Sequence, residues 1–176
     1  MKKPVLYLML GYPGAGKTTA AEIISSLTGA VRLSSDAIRL QLFRQPNFSE
    51  AEHHALYDAI DNKTEKLLGA GISVIYDANL NRRIHRQEKY DICKRANATP
   101  ILVWVQTPRA MAKQRATKQA THDPKRPYGN MTVQVFERLV SQIEQPDDDE
   151  PTLSLKGVNL TPRIVKQKLK NKSLKL

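Results

Sequence analysis

Apolar and polar positions divide this chain into short, continuous apolar runs separated by longer segments of helical period. Residues 5–10 are apolar throughout, the pattern of a strand buried on both faces of a parallel sheet. Residues 72–76 and 101–105 repeat that pattern, and 30–33 and 152–155 read as shorter strands. Helical segments lie between them. Ala21, Ile24 and Leu27 space a helix over 18–27 that Gly29 closes. Residues 36–43 read as a short helix. Ser49-Glu50-Ala51-Glu52 is a capping box opening a helix to about residue 68, and 82–96 predicts another. Thr107-Pro108, Thr132 and Thr161-Pro162 supply caps for three more, over about 108–119, 133–145 and 162 onward.

Strands alternating with helices imply an α/β chain with a five-stranded, parallel, doubly wound sheet and helices on both faces, in three layers. Ligands of such sheets sit at the carboxyl ends of the strands. Three polar groups fall there: residues 11–18, residues 77–81, and Thr107 onward.

Composition changes this picture little. With 176 residues, 40% hydrophobic and 26% charged, the chain suits one soluble domain. No apolar run approaches the roughly 20 residues that span a bilayer, which argues against a membrane partner. Met1-Lys2-Lys3 ahead of the first apolar run imitates a secretory leader. That run is short, however, and leads straight into a glycine loop, so it reads as a strand. The single cysteine, Cys93, reads as a small core residue and suits a reducing cytoplasm.

Charge adds one question. The net charge of +11 favours a polyanionic partner, but residues 156–176 carry seven basic and no acidic residues, leaving 11 − 7 = +4 for the rest. The basic tail, about 170–176, is therefore either a nucleic-acid contact or a solvated end.

The strongest chemical signal is GYPGAGKT at 11–18, which meets G-x-x-x-x-G-K-[ST] between a strand and a helix. Its backbone N–H groups and the helix N-terminus would cradle phosphates. Gly11, Pro13, Gly14, Ala15, Gly16 and Thr19 would line the cradle, Lys17 would reach the β and γ phosphates, and the Thr18 hydroxyl would ligate Mg²⁺. Asp36, in Ser34-Ser35-Asp36 after the second strand, reads equally as a general base or a helix cap. Arg39, one turn on, would hold an anionic or hydroxylated substrate. Asp77 ends an apolar strand, where it would hold the magnesium water shell or orient a substrate loop, and Asn79 and Asn81 read as substrate contacts or turn residues. Arg82, Arg83, His85 and Arg86 crowd a helix start, where cations are electrostatically disfavoured, and so hint at a ligand. Arg109, Lys113, Arg115, Lys118, Lys125 and Arg126 run from a basic helix into a polar loop, the makings of a lid over about 109–131.

The segments GYPGAGKTT at 11–19, LSSDAIR at 33–39 and DANLNRRIHRQ at 77–87 resemble P-loop kinases related to phage polynucleotide 5′-hydroxyl kinase and to zeta-type toxins. With the lid helix and MTVQVFERL from Met131, the resemblance spans most of residues 5–146. It implies that Asp36 is the general base, Arg39 a substrate contact and Arg115 the first lid arginine. A second lid arginine one turn later is missing; Lys118 or Arg126 would take its place.

The expectation is a kinase passing the γ phosphate of ATP, with Mg²⁺, to a hydroxyl acceptor. A nucleic-acid 5′-hydroxyl fits the resemblance, and a nucleoside, sugar or antibiotic-like hydroxyl is the alternative. The rival reading is a non-kinase NTPase or nucleotide-dependent switch.

Overall fold

The computed structural model describes residues 3–119 and 128–172. Five strands, β1 (Val5–Leu10), β2 (Val31–Ser34), β3 (Val74–Asp77), β4 (Thr99–Gln106) and β5 (Thr152–Lys156), form one sheet in the order β2-β3-β1-β4-β5, parallel throughout. Seven helices complete the described residues. These are α1 (Lys17–Thr28), α2 (Ser35–Leu42), α3 (Glu50–Gly69), α4 (Arg83–Arg95), α5 (Arg109–Lys118), α6 (Val133–Ser141) and α7 (Pro162–Asn171). The winding departs to both sides from β1, so the carboxyl end of that strand opens into a crevice.

The two-residue period of a strand divides the core in two. Val5, Tyr7 and Met9 join Ile101, Val103 and Val105 beneath α1 and α7, packing on Ile24, Val165 and Leu169. Leu6, Leu8 and Leu10 join Leu102 beneath α3 and α4, packing on Leu56, Ile60 and Ile92. Each buried aliphatic side chain contributes about 1.5–3 kcal/mol, so the two apolar faces of β1 and β4 dominate the stability of the fold. Cys93 belongs to the second layer, and burial pushes its thiol up to about 12, far from a reactive thiolate. Tyr76 is fully buried there, and Trp104 packs against the same layer.

Boundaries differ from the sequence pattern for local reasons. The strand expected at 72–76 begins at Val74, because the Ile72 N–H bonds the Leu67 carbonyl and finishes α3 instead. The Ser73 hydroxyl accepts the Val5 N–H at 3.0 Å. The helix expected to reach residue 145 stops at Ser141, because the Glu144 N–H bonds the Asn81 carbonyl at 2.9 Å and the chain turns toward α4. Among the described residues no helix is long and apolar enough to cross a membrane.

The acidic stretch 144–150 is more than a linker, and it explains the cations at the start of α4. Arg83 pairs with Asp147 and Asp149, while its N–H donates to the Glu144 carboxylate. Arg86 is fully buried, with Nε and Nη2 on the two Glu150 oxygens at 2.7 and 2.8 Å and Nη1 on the carbonyls of Leu80, Asn81 and Glu144. The unfavourable charge at a helix N-terminus is thus answered from within the chain. Arg86, expected among the substrate contacts, is instead a structural bolt between α4 and the approach to β5. Arg86→Leu leaves Glu150 buried and unpaired, and denaturant titration should show a loss of about 3–5 kcal/mol; a loss near zero would show that the bolt carries no stability.

Candidate functional site

The loop after β1 adopts a backbone that demands glycine. Gly14 has φ +80, and an added Cβ would lie 2.2 Å from the Ala112 carbonyl oxygen, so α5 packs directly on the loop. Ala112 and Ala116, both small and buried, permit that approach. The loop is braced from below as well. The Thr107 hydroxyl donates to the Ala15 carbonyl at 2.8 Å, and Gly157, after β5, sits so close that a Cβ would meet the Ala15 oxygen at 2.0 Å. Thr107 was expected to cap α5; it braces this loop instead, and Pro108 holds the cap position.

Lys17 opens α1 and folds back over the loop, its ammonium donating to the carbonyls of Gly11 and Tyr12 at 2.7 and 3.0 Å. Thr18 follows it, and Thr19 lines a cavity of about 420 Å³ with Gly14 and Gly16. Arg115 of α5 and Gln119 at its C-cap form one wall, and Gly157, Asn159 and Leu160 form the other. Arg115 reaches the Gly157 carbonyl at 3.5 Å. Two other α5 cations serve packing, since Arg109 and Lys113 both pair with Glu137 of α6. Lys118 is exposed at the end of α5, while Arg126 and Lys125 lie outside the described residues.

Opposite the loop, the ends of β2 and β3 bring two carboxylates together. Asp77 is buried and paired, one of its oxygens taking Arg32 Nε and Nη2 at 2.8 and 2.6 Å. Asp36, in the first turn of α2, is accessible from the cleft, and no described residue hydrogen-bonds its carboxylate. Surrounding protein strips water from it, and the neighbouring Asp77 charge adds repulsion. Together these raise its pKa above the ordinary aspartate value despite opposing fields from Arg39, Lys17 and Arg32. Ser34, rather than Asp36, caps α2, its hydroxyl accepting the Ala37 N–H.

Arg39, expected to extend toward substrate, is 5% exposed and turned inward. It pairs with Glu52 of α3, approaches His53 Nδ1 at 3.3 Å and stacks over Phe48 with 4.8 Å to the ring centre. Phe48 is exposed with a left-handed backbone, φ 57, and meets Tyr128 edge-on at 5.0 Å. These two rings stand at the mouth of the cleft, with Asp36 close enough to Tyr128 to raise its phenol pKa after the effect of burial.

From His53 a polar groove runs between α3 and α4, enclosing about 400 Å³. His53, His54, Tyr57, Asp58 and Asp61 line the α3 side, and Arg82, His85, Glu88 and Lys89 the α4 side. Asn79 and Asn81 form its floor, and Gln142 closes an end. Tyr57 donates to the Asn79 carbonyl at 3.2 Å, and the Asn79 side chain accepts the Asn81 N–H. Asn79 thus performs turn chemistry and lines the groove at once. At the far end Asp61 accepts from Lys89 and from the Tyr76 hydroxyl, both at 2.6 Å.

Sequence reasoning missed Arg32, Gly157, Asn159 and the α3 wall of the groove. Gly157 carried a readable signal, a glycine directly after a strand. The groove carried none, because His53, Tyr57 and Asp61 share a face only once α3 is known to lie against α4. Among the described residues no cluster of His, Cys, Asp or Glu is arranged to hold a metal by itself.

A glycine-rich loop at the carboxyl end of the middle strand of a parallel sheet, leading into a helix through Lys-Thr, defines a P-loop nucleotide-binding protein. The profile of the AAA domain family matches residues 6–146, and the chain belongs to that family. The match does not single out the polynucleotide kinases that the motifs resemble. Comparison of the sequence with functionally curated proteins gives no match.

Solved structures share the fold at low identity. Kti12 of Chaetomium thermophilum, in complex with ADP-AlF3, is 20% identical with a TM-score of 0.73, covering 95% of this chain and 98% of that one. A gluconokinase from Sinorhizobium meliloti 1021 is 15% identical with a TM-score of 0.67, covering 98% and 94%. The Mycobacterium tuberculosis APS kinase CysC, in complex with AMPPNP and APS, is 16% identical with a TM-score of 0.65, covering 98% and 97%.

The bracing of the loop generates a prediction. Gly157→Ala forces a methyl group against the Ala15 carbonyl and must displace the phosphate cradle. Titration with a fluorescent ATP analogue should show affinity weakened at least about tenfold, or about 1.4 kcal/mol, and unchanged affinity would show that the loop tolerates the shift.

Proposed function

We propose that the protein is a phosphotransferase that passes the γ phosphate of ATP to a hydroxyl group, with Asp36 as general base. The observation that carries this reading is the state of Asp36. It lies across the crevice from the phosphate loop, within the field of Lys17, with raised proton affinity and no hydrogen bond from a described residue. The cap of α2 is taken by the Ser34 hydroxyl, which accepts the Ala37 N–H, so Asp36 is not spent on that role.

In this reading the N–H groups of 11–18 and the α1 terminus hold the phosphates, and Lys17 swings from the Gly11 and Tyr12 carbonyls onto them. The 420 Å³ cavity beyond Thr19 takes the nucleoside, and Arg115 on its wall supplies positive charge over the phosphate chain. An acceptor hydroxyl held beside Asp36 attacks phosphorus in line. The new O–P bond forms as the bond to the β-phosphate oxygen breaks, ADP leaves, and the hydroxyl proton passes to Asp36. Mg²⁺ suits the donors present, which are hard oxygens: the Thr18 hydroxyl and the Asp77 carboxylate, with phosphate and water completing its shell. When bound it would neutralise phosphate charge. Both Arg32 contacts fall on one Asp77 oxygen, so the other would serve the hydration shell of the ion.

Two measurements test the reading. Asp36→Asn should lower acceptor-dependent ATP turnover about 10²–10⁴-fold while ATP affinity changes little. For the wild type, kcat/KM should rise with pH as Asp36 loses its proton, with the limb displaced above the ordinary aspartate range because its pKa is raised; Asp36→Asn should lack that limb. Hydrolysis that no acceptor stimulates, and that persists in Asp36→Asn, overturns the proposal in favour of an NTPase or switch.

A further inference from the structure

The groove between α3 and α4 belongs to neither the phosphate loop nor the nucleotide cavity, and its chemistry is unusual. Ligand pockets are ordinarily lined by apolar and aromatic side chains with a few polar groups. Here every lining residue carries a polar group. Such a surface gains little from an apolar ligand and offers hydrogen bonds along its whole length.

Shape and position narrow the occupant. His53, Tyr57 and Asp61 stand four residues apart on α3, so the groove extends about 12 Å along the helix. Its His53 end touches Arg39, and the Asp36 and Arg39 charges are felt at Tyr57. A molecule lying in the groove therefore presents one end toward the proposed base. A cleft of about 400 Å³ holds a molecule of sugar to disaccharide size.

Charge argues against a polyanion. Asp58, Asp61 and Glu88 oppose Arg82 and Lys89, which leaves the lining near −1 with neutral imidazoles. Lys89 is moreover engaged by Asp61 at 2.6 Å and Glu88 at 3.2 Å. The basic excess of the chain lies elsewhere. Arg163, Lys166, Lys168 and Lys170 are exposed on α7, which packs on the opposite face of the sheet from α3 and α4. A nucleic-acid strand drawn to α7 would not be led along this groove.

We infer that the α3–α4 groove is the acceptor subsite, and that the acceptor is a small polyhydroxylated molecule, uncharged or amine-bearing, rather than a polynucleotide. The inference rests on the phosphotransferase reading for the identity of the reacting group, but binding to the groove does not. Its hydrogen bonds come from the Asp58 carboxylate, the imidazoles and the Asn79 amide, which together suit vicinal hydroxyls or an ammonium group.

The test uses the full chain with a non-hydrolysable ATP analogue and four probes: sorbitol, trehalose, glucosamine and a 5′-hydroxyl oligonucleotide. Binding is read by calorimetry, and transfer is read separately with radiolabelled ATP. At least one of the three polyols should bind saturably, and Asp58→Leu and His85→Leu should each weaken it about tenfold or more. Both positions are exposed, so melting temperatures should confirm that the variants fold. Lys17→Ala should abolish transfer while polyol binding survives. The inference is overturned if none of the polyols binds, if their binding ignores both groove substitutions, or if only the oligonucleotide is phosphorylated. That last outcome would leave the kinase reading intact, and polyol binding without transfer by the wild type would overturn the acceptor assignment while leaving the groove as a binding site.

Discussion

The carbonyl of Ala15 is the contact on which the carboxyl edge of this protein depends. It accepts the Thr107 hydroxyl from the end of β4 and lies against Gly157 from the end of β5. One peptide group thereby ties the phosphate loop to two strands on the same side of β1. Gly14 on the loop's other flank meets the backbone of α5. A loop built from glycines would otherwise lose much of its order to conformational entropy; here its conformation is fixed from three directions before any ligand arrives. Preorganisation of this kind is what lets backbone N–H groups act on phosphates without first being rearranged.

Charged side chains fix the loops that the apolar core cannot reach. Arg86 and Glu150 are both buried and join α4 to the segment before β5. Arg39 and Glu52 join α2 to α3, Arg32 and Asp77 join β2 to β3, and Lys89 and Asp61 join α4 to α3. Buried pairs roughly break even against the loss of hydration, so their contribution is to position rather than to net stability. The core beneath the sheet supplies the stability, and the pairs decide where the edges of the cleft stand.

The strands were legible because burial on both faces leaves continuous apolar runs, and β1 and β4 lie where those runs predict. The phosphate loop was legible because its conformation requires glycine at fixed spacing. Arg86 and Arg39 misled for a shared reason. An arginine near a predicted cleft reads as a ligand arm, and only the packed chain reveals a carboxylate 64 or 13 residues away that claims it. Thr107 misled because Thr-Pro is a strong local cap signal, and the long-range acceptor at Ala15 outcompetes it. Each error replaced a distant partner with a local one.

Those pairings also give Asp36 its meaning. Glu52, Asp61 and Asp77 stand around the cleft and groove, and each is answered by an arginine or lysine. Asp36 receives the fields of Arg39, Lys17 and Arg32 at a distance, but makes no ion pair with a described residue. These three carboxylates are held by cations, whereas Asp36 faces the crevice without an ion pair and is able to accept a proton there. Burial is the larger cause of the raised Asp36 pKa, and repulsion from Asp77, which Arg32 fixes in place at the sheet edge, adds to it. The register that brings Ser34 opposite Asp77 sets where that second carboxylate stands, and a group poised in this way suits the abstraction of a hydroxyl proton better than the capping of a short helix.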